Sequence, residues 1–253
     1  MILVHGLDKF REFFAEYNDK YVIIGGTACS IAMQTVGADF RATKDIDIVL
    51  TVEALSTEFY KVFWTFIRAG EYSTFNKSSD KDKFYRFHSP KNLEFPFMIE
   101  LFAPDLEGQF DSETFPIKWE KIESEDTASL SAILLDTDYY DFIKSGRRVV
   151  DGVTIIGAEH IIPLKGKAWM DHVRREAAGE KIDSKLIKKH KNDIIRLYSI
   201  LTIGQTVALP ESIKADVLIW LDILSKDELQ PKKFNVDKTL QEVVSDLTSI
   251  FIN

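Results

Sequence analysis

The sequence predicts an α+β protein in which a small mixed β-sheet is followed by a mostly helical second half. Three observations lead to this class. Within residues 21–50, a β-branched apolar run, a glycine pair, a helical segment and a second strand follow one another. The segments 83–88 and 93–102, and a hairpin around Asp151-Gly152, add further strands. After residue 164 the apolar residues recur at helical spacing.

Composition limits the class of protein. The chain has 253 residues, 45% of them hydrophobic, which suffices for a sizeable core and one or two domains. Its net charge of −8 excludes a generally basic nucleic-acid surface, so any such contact must be local. The single cysteine, Cys29, fits a reducing compartment. With no signal-peptide pattern and no run near the ~18 apolar residues of a membrane span, we expect a cytoplasmic protein that does not enter a membrane.

The elements of the first half follow from local patterns. Leu7–Tyr17 has an apolar helical face, and Tyr21–Ile24 has the composition of a buried strand. A helix is predicted from Thr27, whose hydroxyl is a candidate cap, to about Gly37. The remaining predictions are a helix over 52–69, a polar loop over 76–82, strands over 83–88 and 93–102, and an acidic irregular rim over 107–141.

The second half is predicted to consist of the hairpin and four helices. Helices are expected from Leu164 to Ala178, from a cap at Asp183 to about Leu201, over 211–224, and from a cap at Asp237 to Ile252. Residues 165–196 hold ten Lys and Arg against five Asp and Glu. Such a segment suits a triphosphate or a nucleic-acid backbone, and it equally suits a solvated charged face.

A glycine pair and two aspartates carry the chemistry of the first half. Gly25 and Gly26 let the backbone approach a ligand closely, and the free amides of the helix that follows suit a phosphate. Asp45 and Asp47 alternate with Ile46 along a strand, so both carboxylates point to one face. Carboxylates so placed can hold a divalent cation through hard oxygen ligands.

This arrangement resembles the nucleotidyltransferase superfamily related to polymerase beta. Its signature is a Gly-Gly or Gly-Ser pair, a spacer of about one helix, and Asp-x-Asp on a strand. Here it is Gly25, Gly26, Asp45 and Asp47. The pattern Arg41-x-Thr43-x-Asp45-x-Asp47 resembles more narrowly the AbiEii group of toxin nucleotidyltransferases. The resemblance covers most of residues 20–200 by motif, and the last fifty residues match no pattern of the group.

The resemblance implies roles for further residues. In the superfamily a third acidic residue comes from a later strand, and Glu100 is the candidate for it here. Alternatively, Glu100 faces solvent on an amphipathic edge strand. Lys165 is similar to a lysine that contacts the NTP phosphates, and Lys167 is the second candidate for this role. Asp193 matches an acid that orients a lysine or helps to activate the acceptor hydroxyl, and Lys191 matches its basic partner. Gly166, between the two lysines, is unusual inside a helix.

By resemblance the protein is expected to be a metal-dependent nucleotidyltransferase. Asp45, Asp47 and Glu100 would hold Mg²⁺ or Mn²⁺, and Lys165 would balance the leaving pyrophosphate. Backbone amides of a three-residue turn would cradle the NTP, and Arg41 and Thr43 flank the carboxylates. Arg41 would contact the nucleotide or fix the aspartate loop. The nucleotide-binding candidates are therefore Gly25, Gly26, Thr27, Arg41, Thr43, Lys165, Lys167 and Lys191.

The implied biological setting is the toxin of a toxin–antitoxin or phage-defence pair, with RNA, tRNA in particular, as acceptor and a cognate antitoxin as partner. The expected domains are a catalytic domain, residues 1–145, and a hairpin-plus-helical domain, residues 146–253, that completes the NTP and acceptor site. Two alternatives stay open. The chain could transfer nucleotides to a small molecule or a protein, or it could be a non-catalytic nucleotide-binding module.

Overall fold

The computed structural model of the protein describes residues 4–51, 56–79, 82–102, 136–202 and 204–252. It confirms the α+β class: the strands of a mixed sheet lie between residues 21 and 156, and the described residues after 157 contain helices and no strand. The described residues divide into two compact units. One comprises those within Met1–Ser124 and Ile143–Ile156, and the other those within Glu125–Phe142 and Gly157–Asn253.

Seven strands of the described chain form one sheet, in the order β3-β4-β5-β2-β1-β7-β6. The pairs β2–β5 and β1–β7 are parallel and the other neighbours are antiparallel, so the sheet is mixed. The bounds are β1 Tyr21–Ile24, β2 Asp45–Leu50, β3 Ser73–Ser79, β4 Asp82–His88, β5 Met98–Phe102, β6 Arg147–Val150 and β7 Val153–Ile156.

Three helices of the first unit were predicted and are confirmed with shifted ends. They are α1 Leu7–Phe14, α2 Gly25–Gln34 and α3 Thr57–Gly70. The predicted start of α3, residues 52–55, lies outside the described residues, as do residues 107–135 of the predicted acidic rim. Because α2 begins at Gly25, Thr27 lies inside its first turn, so the predicted side-chain cap is wrong.

An aromatic layer covers one face of the sheet. Phe10 and Phe14 of α1 contact the ring of Phe66 on α3, and Phe14 also contacts Tyr21 of β1. Paired residues of neighbouring strands point to one face, and the side chains alternate along each strand. Ile48 and Leu101, which are paired, therefore lie on the face with the aromatic layer. Asp47 and Glu100, which precede them in β2 and β5, lie on the opposite face. That second face carries the candidate site.

The predicted loop over 76–82 is wrong for residues 76–79 and 82, which belong to a strand pair. Strand β3 pairs with β4 from Ser73 opposite His88 to Ser79 opposite Asp82. The run STFNKSS lacks the apolar alternation of a half-buried strand, and for that reason its strand character was missed.

The hairpin β6–β7 belongs to the first unit. Asp151 and Gly152 both have positive φ, 53° and 76°, as the predicted two-residue turn requires. Ile155 of β7 pairs in parallel with Ile23 of β1, which adds the hairpin to the sheet. The sequence analysis places this hairpin in the second domain, and the division into domains 1–145 and 146–253 stays a prediction.

The described helices that follow are α4 Thr137–Ser145, α5 Ala158–Ala177, α6 Ser184–Tyr198, α7 Glu211–Ser225 and α8 Leu240–Phe251. Helix α5 begins six residues before the predicted start, with Pro163 inside it. The predicted Asp183 cap of α6 is confirmed by a 2.9 Å bond from the Lys185 amide. The predicted Asp237 cap of α8 is wrong, because Thr239 forms a capping box with Glu242.

Gly166 lies inside α5 because the indole of Trp220 occupies the space of a side chain there. A Cβ atom on Gly166 would lie 2.3 Å from Nε1 of Trp220, which is fully buried on α7. The glycine thus permits close packing of two helices of the second unit. In the described part of the chain, no helix is both long and apolar enough to cross a membrane.

Candidate functional site

A row of charged side chains crosses three neighbouring strands on the face opposite the aromatic layer. Asp47 of β2 pairs with Glu100 of β5, and Glu100 pairs with Arg86 of β4. Paired residues project to the same face, so the register places the two carboxylates side by side and the guanidinium next to Glu100. Asp47 and Glu100 are 9% and 5% exposed. The sheet therefore holds two acidic residues in a largely desolvated place.

The glycine turn lies directly against this row. Gly25 has φ +65°, and a Cβ atom built on it would be 1.8 Å from Oδ2 of Asp47. Only a residue without a side chain allows this approach in this backbone conformation. A Cβ on Gly26 would lie 2.8 Å from Oγ1 of Thr43 and 3.5 Å from an Arg41 guanidinium nitrogen. At this turn the structure thus brings together five predicted site residues: Gly25, Gly26, Arg41, Thr43 and Asp47.

Helix α2 begins at this same turn. The first amides of a helix have no intrahelical acceptor, and the helix dipole gives its start a partial positive charge. This start lies against Asp47, so an anion bound at the amides would lie close to a carboxylate. Such an anion needs additional positive charge to remain there. Arg41, close to Gly26, is a cationic group of the chain at this turn.

Thr27 joins α2 to β2. Its side chain is fully buried, and its hydroxyl donates a 2.6 Å hydrogen bond to the backbone carbonyl of Asp45. The hydroxyl of Thr27 is therefore already engaged, and its backbone amide is the group suited to the predicted phosphate contact. The Asp45 side chain shares the face of Asp47 by strand alternation and is partly exposed.

Arg86 is the functional candidate that sequence reasoning missed. Its Nε donates a 2.6 Å hydrogen bond to Oε1 of Glu100, and its Nη2 forms an ion pair with the same oxygen. The sequence shows an arginine within an apolar strand segment, which is a signal that it needs a partner. The partner itself follows only from the register between β4 and β5.

The described side chains do not form the predicted metal site as they stand. Across the described ranges, no group of three or more His, Cys, Asp or Glu side chains is arranged to hold a metal ion. The donor chemistry of Asp45, Asp47 and Glu100 suits Mg²⁺. However, Arg86 engages Glu100, so the three residues do not fit the ion in this arrangement.

The predicted residues of the second unit form ion pairs. Nζ of Lys165 lies 3.2 Å from Oδ2 of Asp193, and both side chains are buried. Arg196 donates to the other oxygen of Asp193, Oδ1, at 3.2 Å. The contact places Asp193 beside a lysine, and its two predicted roles stay predictions.

Lys167 and Lys191 are also paired with aspartates. Lys167 donates to Oδ2 of Asp216 at 2.5 Å, and Lys191 donates to Oδ2 of Asp227 at 2.5 Å. The hydroxyl of Tyr139 donates to the same Asp216 oxygen at 3.0 Å, and burial raises the pKa of Tyr139. Much of the positive charge predicted for this segment is therefore neutralised within the second unit. The roles of these lysines toward a nucleotide stay predictions.

Comparison with known proteins finds similarity among solved structures. No protein-family model matches the chain, and no curated protein matches it. Among solved structures the chain is similar to an antigenic nucleotidyltransferase-like protein from Paracoccidioides brasiliensis. The two share 16% sequence identity over 99% of each chain, with a TM-score of 0.47. Similarity at this level does not establish a common family or activity.

Proposed function

We propose that the protein is a nucleotidyltransferase that moves an NMP from an NTP to an acceptor hydroxyl. One observation carries the proposal: the Gly25-Gly26 turn lies against Asp47, with a virtual Cβ of Gly25 only 1.8 Å from the carboxylate. Nucleotidyl transfer needs a phosphate cradle next to a group that handles the incoming hydroxyl. This turn combines a helix start with a buried acid.

The residues of the first unit suggest a division of roles. The amides of the α2 turn bind phosphate oxygens, as helix starts commonly do. The Arg41 guanidinium, near Gly26, adds positive charge at the same turn. Asp47 places a carboxylate oxygen beside the bound phosphate, where it can accept the proton of the acceptor hydroxyl.

The finer parts of the proposal rest on the sequence resemblance. These are dependence on Mg²⁺ or Mn²⁺, RNA or tRNA as acceptor, and the toxin role with a cognate antitoxin. Because Arg86 holds Glu100 in the described arrangement, no catalytic step is assigned to a metal ion. The phosphate contact of Lys165 is likewise proposed from the resemblance alone.

The Arg86–Glu100 ion pair favours one alternative. An acidic residue held by a partly buried arginine also suits a module that binds a nucleotide without transferring it. This alternative predicts NTP binding without a labelled acceptor.

A labelling assay tests the proposal. The wild type would be incubated with each of four α-labelled NTPs, Mg²⁺ or EDTA, and total RNA or soluble extract. We expect label on an acceptor, lost in Asp47→Asn and retained in Asp39→Asn. Asp39 makes a matched control, since it is an exposed aspartate in the loop before β2.

The acceptor that carries the label decides between the classes. Label on RNA supports the RNA-directed enzyme, whereas label on a protein or small molecule supports transfer to that class instead. Transfer at the wild-type rate by Asp47→Asn would refute the role of Asp47. NTP binding with no label on any acceptor would refute transfer and support the binding module.

A further inference from the structure

Arg86 brings a permanent positive charge to the row of carboxylates. Its side chain is 11% exposed and that of Glu100 is 7% exposed. A guanidinium stays protonated at any pH that the fold survives. The Nε and Nη2 atoms of Arg86 contact the same oxygen of Glu100, Oε1. The two contacts hold the guanidinium beside this carboxylate.

The neighbouring carboxylate explains why such a charge is needed. Asp47 and Glu100 lie in register on adjacent parallel strands, and both are nearly inaccessible to solvent. Two ionised carboxylates in that position repel each other and have lost much of their hydration. A positive group on the next strand offsets both effects. Arg86 stands on β4 opposite Glu100, at the distal end of the row.

We propose that Arg86 is the built-in counter-ion of Glu100 and competes with a divalent cation for this carboxylate. This accounts for the mismatch between the predicted three-carboxylate site and the described arrangement. Arg86 is a positioning residue, since it acts through Glu100. The proposal rests on the proposed function in one respect: it takes the cation to be one that the carboxylates meet during nucleotidyl transfer.

Competition has two measurable consequences. Without Arg86, its positive charge no longer opposes a divalent cation next to the two desolvated acidic side chains, so the cation is attracted more strongly. Without both Arg86 and the cation, the two acidic side chains have lost their counter-charge and the sheet is destabilised. Removal of the arginine should therefore tighten cation binding and make stability depend on the cation. A purely structural arginine would give the loss of stability alone.

The test measures Mn²⁺ binding, not activity. Wild type, Arg86→Met and Arg147→Met would be titrated with Mn²⁺, with free ion followed by electron paramagnetic resonance. Arg147 is a matched control because it is an exposed arginine on strand β6. We expect Arg86→Met to bind Mn²⁺ about tenfold more tightly than wild type, and the control to bind as wild type does. In EDTA the Tm of Arg86→Met should fall, and Mn²⁺ should restore more of it than in wild type.

A double variant separates competition from general loosening. In a Glu100→Gln background, Arg86→Met should change the Mn²⁺ affinity little, because no charge is left to compete for. Where Arg86→Met does not fold even with Mn²⁺, Arg86→Gln serves instead, since it keeps a donor and removes the charge. Equal or weaker Mn²⁺ binding by the folded Arg86 variant, or no binding by any variant, would overturn the proposal.

The labelling assay keeps this result apart from the proposed function. Transfer by the wild type together with unchanged Mn²⁺ affinity in Arg86→Met overturns the counter-ion role and leaves nucleotidyl transfer in place. Tighter Mn²⁺ binding in Arg86→Met without transfer by the wild type supports the counter-ion role and overturns nucleotidyl transfer.

Discussion

Gly25→Ala tests the contact between the glycine turn and Asp47. The left-handed backbone, φ +65°, makes a side chain at this position unfavourable by about 1 kcal/mol. The added carbon would also lie 1.8 Å from Oδ2 of Asp47, so the carboxylate must rotate or the turn must move. Overpacking of this kind costs about 1–3 kcal/mol. We therefore expect a total loss of about 2–4 kcal/mol in the free energy of unfolding.

Gly37→Ala is the matched control for this substitution. Gly37 also has a left-handed backbone, φ +71°, yet among the described residues beyond its chain neighbours no atom lies within 4 Å of its virtual Cβ. It should lose only about 1 kcal/mol and keep full activity. Urea unfolding of both variants, with the slope compared to wild type, measures the difference. Label transfer by each variant measures the effect on the site. Equal losses of stability, with wild-type transfer by Gly25→Ala, would show that the contact has no consequence for the site.

Three further predictions concern stability. Gly166→Ala should destabilise the protein by about 1–3 kcal/mol in urea unfolding, because Trp220 occupies the space of the new carbon, although alanine is the better helix former; a gain in stability would contradict this packing. Asp193→Ala should cost about 3–5 kcal/mol by leaving Lys165 buried without this carboxylate, and the added change Lys165→Met should recover much of the loss; no recovery would argue against the pair. Burial raises the pKa of Tyr72, so its neutral form stabilises the fold below the unfolded-state value of about 10, and this contribution is lost as the pH rises further. Tyr72→Phe should therefore unfold less steeply with rising pH above about 10 than wild type, as followed by circular dichroism.

Local patterns were enough to predict the centre of the sheet and the facing of its carboxylates. Alternation along 45–50 placed Asp45 and Asp47 on one face, and the glycine pair marked the turn into α2. Both features depend on residues close in the chain, where backbone geometry fixes side-chain direction. The candidate pairing of Asp47 with Glu100 needed the resemblance, since the two strands are far apart in sequence.

The missed features depend on tertiary partners. The contact of Arg86 with Glu100 depends on the register between β4 and β5, and neither strand's sequence specifies that register. Strand β3 is polar and is specified by pairing with β4. The reason for a glycine at 166 is the Trp220 indole, which belongs to a different helix. The predicted start of α5 at Leu164 is too late, because the helix continues back to Ala158 through Pro163, a residue more typical of a first helical turn.

The position of β1 has a consequence for the order in which the chain can fold. Strand β1 lies between β2, which follows it closely in sequence, and β7, where Ile155 is the partner of Ile23. During synthesis, more than half of the chain must therefore be added after β1 before the partner of its second edge, β7, exists. An exposed strand edge is a site for pairing with other chains. Nascent or truncated chains that end before residue 153 should consequently aggregate, whereas chains that include β7 can complete the sheet.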